Sequence, residues 1–281
     1  MWRAALQKDV PEVQRFLRLH LQSSMFPLGN LEDFGLGGSH PRGMSFWLLG
    51  NPLRGVLGIT NEGIVFPQCP NVKRAELFAA WDLIQNRAVS GIIGETAQVR
   101  DFVKIAGWRD RLTGLNDDEP AFSLNLNNLV VPQMEDVRLV PLAGVDRNQV
   151  IAWRKQYLQE TPGLLHKELD KQAREDLKRY LERDSHRALI YKGQPVAMTG
   201  FNSALSDVVK VGGVFTPREL RGRSYARTAV ALHLKEAREA GVNRAVLFAA
   251  SNAAARAYIA IGFMPAGSVS LILFNDQTDS A

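Results

Sequence analysis

A single cysteine, Cys69, stands in the chain of 281 residues. One thiol makes neither an internal disulfide nor a multi-thiolate zinc site, so a reducing, cytoplasmic setting is expected. Long apolar runs are missing as well. The longest, Ala245 to Ala250, has six residues, against the ~18 that cross a bilayer, so no membrane association is expected. The opening MWRAALQKDVPE lacks the apolar stretch of a secretory signal. The five histidines, His20, His40, His166, His186 and His233, show no ligand spacing such as H-E-x-x-H, and no metal is expected. A large excess of one charge is absent too: 34 basic against 29 acidic residues gives +5, too little to suggest a nucleic-acid partner unless it is concentrated.

What remains is ordinary globular composition, 46% apolar and 22% charged, which excludes disorder and supplies a core. The one concentrated basic stretch holds Arg218, Arg221, Arg223 and Arg227, with Glu219 its only acid.

An internal repeat organises the chain. Residues 89 to 108, VSGIIGETAQVRDFVKIAGW, read as a buried strand, a helix and a Gly-aromatic stop; residues 244 to 263, RAVLFAASNAAARAYIAIGF, read the same way. Gly107 falls on Gly262 at an offset of 155. Upstream, Gly50 and Pro52 fall on Gly193 and Pro195 as matching hairpin turns. A boundary is expected in LVVPQMED at 129 to 136, where Pro132 and polar residues separate two strand-like runs. The expected domains are therefore 1–130 and 131–281. Each mixes strands and helices without regular alternation, which predicts an α+β class with a mixed, mostly antiparallel sheet flanked by helices.

The strongest local signal is residues 208 to 241. A β-branched run ends at Thr216-Pro217, an Arg/Gly loop follows, and helical spacing runs from about Tyr225 to Ala240 before Gly241. A strand, tight loop and helix turn several N–H groups toward one point at the positive helix end, which suits a phosphate or pyrophosphate; Arg221 and Arg223 add charge. A plain strand-to-helix connection is the alternative reading of the same residues.

The run Arg221-Gly222-Arg223-Ser224-Tyr225-Ala226 resembles the Gln/Arg-x-x-Gly-x-Gly/Ala motif of the GNAT family of N-acetyltransferases, preceded by their Val-x-Thr-Pro strand end at Val214-Phe215-Thr216-Pro217. Asn252, Tyr258 and Gly262-Phe263 resemble the family's second motif. Ser224 departs from the pattern, standing at its first glycine. The resemblance covers residues 137 to 274. It implies acetyl-CoA as co-substrate, with its pantetheine arm on Val214, Phe215 and Thr216 and its pyrophosphate on Arg221 to Ala226. It also implies Asn252 as a coenzyme contact and Tyr258 as the general acid for the leaving thiolate. Glu160 resembles an acidic position that faces the acceptor, with Asp207 and Ser206 ranked below it as bases. The acceptor is expected to be a primary amine, on a small molecule or a protein.

At the corresponding places of the first half the chain reads FPQCPN, with two prolines and no glycine, and Val103 replaces Tyr258. Prolines have no N–H to offer a phosphate. The first half thus reads as a degenerate copy, as in tandem members of the family, expected to pack on the active half and wall the acceptor pocket. A CoA-binding sensor without turnover, and an aminoacyl transferase of the same fold, remain as alternatives. Gly222-Arg223-Ser224-Tyr225-Ala226 also approaches the G-x-S-x-G elbow of hydrolases. The only later histidine, His233, lies on the very helix that Ser224 would open, which argues against that reading.

Overall fold

The computed structural model describes residues 1–160 and 168–275; His166 lies outside them. The chain divides into two compact units, Met1–Glu119 with Gly267–Ala281, and Pro120–Ala266.

The first unit begins with β1 (Trp2–Ala4), α1 (Val10–Arg18) and α2 (Leu21–Phe34). An antiparallel meander follows through β2 (Met44–Leu49), β3 (Gly55–Thr60) and β4 (Ile64–Gln68). α3 (Arg74–Asp82) leads to β5 (Gly91–Glu95), parallel to β4, and then to α4 (Thr96–Ile105). Leu57, Ile59, Val65 and Ile92 form the sheet side of a core closed by Val99, Phe102 and Trp108.

β6 (Thr113–Asn125) starts in this unit and ends in the second. The second unit continues with β7 (Val137–Pro141), α5 (Arg147–Glu160) and α6 (Leu169–Glu182). β8 (His186–Tyr191), β9 (Gln194–Ala204) and β10 (Val208–Phe215) follow, antiparallel in turn. The expected hairpin forms at Lys192-Gly193, both with left-handed φ of 48° and 81°, the geometry a two-residue turn demands. α7 (Tyr225–Glu239) crosses over to β11 (Arg244–Phe248), which lies parallel to β10. α8 (Asn252–Ile259) and β12 (Met264–Phe274) complete the chain order.

Side-chain alternation assigns the two faces of this sheet. Val209, Val211 and Leu247 pack under Val230 and Leu234 of α7 and Tyr258 of α8. Ala188, Ile190, Met198 and Phe215 face Trp153 of α5 and Leu177 of α6.

The class is α+β, mixed and mostly antiparallel, as the sequence predicts. The compact units, however, do not follow a single cut near 129–136. Residues 121–125 of β6 pair antiparallel with β11 in the second unit, whereas Val269 to Leu273 of β12 pair with β5 in the first. Each half of the chain thus gives its last strand to the other half's sheet.

Candidate active site

β10 and β11 are paired only through Val208↔Arg244, Val209↔Ala245 and Lys210↔Val246. Both strands run on, to Phe215 and Phe248, so among the described residues no strand pairs with that ladder edge of β10 beyond Lys210. On its other edge β10 carries a bulge. From Gly212↔Gly200 to Phe215↔Met198 it advances three residues against two on β9, and Gly213 takes φ +64°. Bulges of this kind re-aim the strand that follows, here Val214, Phe215 and Thr216.

After Pro217, a single tight turn, Arg218–Leu220, leads to Arg221. Gly222 has φ +78° and Ser224 φ +67°, and α7 starts immediately after. Gly222 is a glycine because of that conformation, since a Cβ there would meet nothing within 4 Å. Ser224 stands in the left-handed region too. The departure from the motif is therefore one of backbone cost, about 1–2 kcal/mol for an L-residue, and Ser224 bears it. The first N–H groups of α7, from Tyr225, Ala226 and Arg227, have no partner within the helix and lie at its positive end. The Tyr225 ring is buried, 5.4 Å from that of Tyr191, so Tyr225 offers a ligand its backbone only.

The charges around this loop are already partly engaged. Arg221 donates from Nε to the Thr216 carbonyl (2.9 Å) and from Nη2 to Glu160 (2.5 Å). Arg218 Nε donates to the other Glu160 oxygen at 2.8 Å. Burial alone would raise the Glu160 carboxyl, but its hydrogen bonds with Arg221 and Arg218 outweigh that and hold it below the usual range. Arg223 is exposed, with a long 3.4 Å contact to the Glu219 carbonyl. Among the described residues, the buried Nε of Arg227 and Oγ1 of Thr216 have no hydrogen-bond partner. Spare donors at a helix start fit a polyanion.

Tyr258 is buried on α8, its ring 6.0 Å from Phe263 in an edge-on pair. Asn252 opens α8 with its side chain exposed, and the cap is instead Ser251, whose Oγ accepts from Ala254 N at 3.2 Å. Residues 214–226 form one continuous strand end and loop, and Glu160 joins them through two arginines. Asp207 accepts the N–H groups of Asn243 and Arg244 on its carbonyl. It therefore lies at the paired end of the strands, about 30 Å of extended chain from Thr216.

Two features escape the sequence reading. Lys210, at the last rung of the β10–β11 ladder, is buried, with Nζ 4.1 Å from the Phe248 ring centre; a lone lysine in the run VVKVGG is the signal. His186 is buried against two strand glycines, Gly200 and Gly213, with nothing in its own neighbourhood of sequence to mark it.

The first unit repeats the strand parting but fills it. β4 and β5 pair only at Ile64↔Gly91 and Val65↔Ile92. Beyond, Gln98 of α4 accepts the Cys69 N–H at 2.5 Å, and Ser23 and Ser24 of α2 donate to Gln68. Burial pushes the Cys69 thiol up to about 12, far from a reactive thiolate.

β10 and β11 thus part beside a positive, glycine-bent helix start. Residues 149–263 match the model of the acetyltransferase (GNAT) family. Solved structures share the fold over the whole length. A GCN5-related N-acetyltransferase from Sphaerobacter thermophilus aligns at TM-score 0.62 and 14% identity, covering 97% of this chain and 94% of its own. One from Kribbella flavida gives 0.59 and 16%, with 94% and 95% covered. A tandem GNAT protein from the clavulanic acid biosynthesis pathway gives 0.53 and 12%, with both chains fully covered. No curated protein matches the sequence significantly.

Proposed function

We propose that the second unit transfers the acetyl group of acetyl-CoA to a primary amine, on a small molecule or a protein. The match of residues 149–263 to the GNAT family model supports acyl-CoA-dependent acetyl transfer. The observation that carries the finer reading is the pairing of β10 with β11, which stops at Lys210 just before the bulge and the Arg221–Ala226 loop. The open edge at Val214, Phe215 and Thr216 suits the amide groups of the pantetheine arm, and the loop with the α7 start suits the pyrophosphate. Asn252, exposed at the start of α8, is a further coenzyme contact.

In this reading the amine nitrogen attacks the thioester carbonyl and forms the C–N bond of a tetrahedral intermediate. Collapse breaks the C–S bond, and the departing thiolate takes its proton from the Tyr258 hydroxyl, a phenol of pKa ~10 serving a thiol of ~8.5. Tyr258 recovers a proton from water. The amine's own proton leaves through solvent. Glu160 is assigned a different task from the base it resembles: both its oxygens hold arginines, and a carboxylate kept below its ordinary range accepts protons poorly. It orients Arg218 and Arg221 beside the loop.

The first unit offers no equivalent site, because Gln98 occupies the Cys69 N–H and prolines replace the loop's donors. One acetyl-CoA per chain is therefore expected by calorimetry. Arg221→Glu combined with Arg223→Glu is expected to weaken binding by ~2–3 kcal/mol, the worth of charge-assisted hydrogen bonds. Two sites per chain, or unchanged affinity in that variant, overturns the assignment.

A further inference from the structure

His186 lies on β8 directly across from Gly200 on β9, which in turn lies across from Gly212 on β10. Its imidazole therefore reaches sideways over β9 toward β10. Glycine is required beneath it: a Cβ at Gly200 would come within 2.2 Å of the ring, and one at Gly213 within 2.7 Å of Nε2. Gly213 is the left-handed residue of the bulge. On its other side the ring is stacked on Tyr180 of α6, centroids 3.5 Å apart and 19° from parallel. Ser185 Oγ lies 2.9 Å from Nδ1, while Nε2 has no hydrogen-bond partner among the described residues.

A buried ring nitrogen without a partner costs stability, and two glycines in neighbouring strands weaken them. Such costs persist where the surroundings need the shape. The imidazole sits where side chains at 200 and 213 would otherwise be, clamped between α6 and the bulge. Flattening the bulge would return residues 213 and 214 to regular alternation and turn the backbone at Val214, Phe215 and Thr216 away from its present direction.

We infer that His186 is a positioning residue: its ring is the wedge that holds the β10 bulge, and the bulge aims the strand end that receives the thioester arm. Burial, foremost, and then the charges of His233, Arg154, Arg187 and Arg179 keep the imidazole neutral, well below its usual pKa. The wedge thus acts by shape and not by charge. The inference rests on the coenzyme site proposed above.

Its test uses two ligands of the full chain. Acetyl-CoA engages both the strand end and the loop, whereas adenosine 3′-phosphate 5′-diphosphate keeps the pyrophosphate that would sit on the loop and lacks the pantetheine arm. His186→Ala is expected to weaken acetyl-CoA about tenfold, the upper worth of one misdirected hydrogen bond, and to leave the diphosphate within twofold. His186→Phe keeps a flat ring without the orphan nitrogen and is expected to restore acetyl-CoA binding to within about threefold of wild type. Gly213→Ala presses on the wedge from the other side and should mimic His186→Ala, which keeps the test open if that variant does not fold. A folded His186→Ala with unchanged acetyl-CoA affinity overturns the wedge, as does an equal loss for both ligands, which marks general loosening. A wild-type chain that binds neither ligand overturns the site reading, and the wedge with it.

Discussion

Ser224 carries the residue-scale consequence of the loop. At φ +67° it occupies a conformation that glycine reaches freely, and its hydroxyl makes no cap bond. Ser224→Gly is therefore expected to raise stability by ~0.5–1 kcal/mol, part of the relieved strain being offset by the flexibility glycine adds to the unfolded chain. Urea midpoints measure it, and a lower midpoint for the variant refutes it. Sequence alone marks Ser224 as a departure from a motif but not that the backbone keeps its glycine-like form. The ion pairs of Glu160 with Arg218 and Arg221 are likewise invisible there: 58 and 61 residues separate the partners, and only the folded position of α5 joins them.

At the scale of elements, the two strand–helix–glycine segments are the most legible part of the chain. β5 with α4 and β11 with α8 both form where the repeat predicts, each closed by a left-handed glycine, Gly107 at φ +71° and Gly262 at +104°. Their apolar periodicity is local, which is why it can be read. The bulge in β10 cannot, because it depends on which residues of β9 lie opposite. α8 differs from α4 at one decisive place, a buried tyrosine where α4 has a buried Val103. Tyr258→Phe keeps the ring and its packing on Phe263 while removing the hydroxyl. With an acceptor found by release of free CoA thiol, kcat is expected to fall ~10²-fold while the affinity for acetyl-CoA holds. Unchanged kcat in a folded variant refutes the general-acid role.

At the scale of the molecule, the exchange of last strands decides what can be cut away. A fragment of residues 131–281 lacks 121–125, the antiparallel partner of β11, and leaves the edge of β11 and its apolar neighbours open. It is expected to aggregate or to melt broadly, whereas residues 120–266, which keep that pairing, should melt cooperatively at a higher temperature. Calorimetric scans compare the two; a sharper, higher transition for 131–281 refutes the importance of the exchanged strand. The repeat locates two similar halves by their sequence, but strand exchange leaves no local trace, since β6 and β12 read as ordinary terminal strands of either half.

The same exchange has a consequence in time. A ribosome delivers β5 long before Val269 to Leu273, its antiparallel partners. At ~5–20 residues per second, the first unit waits on the order of 10–30 s with one strand edge uncovered while the second is made. The half with no expected chemistry of its own is thus the one left incomplete during synthesis, and its completion depends on a strand made only after the second unit.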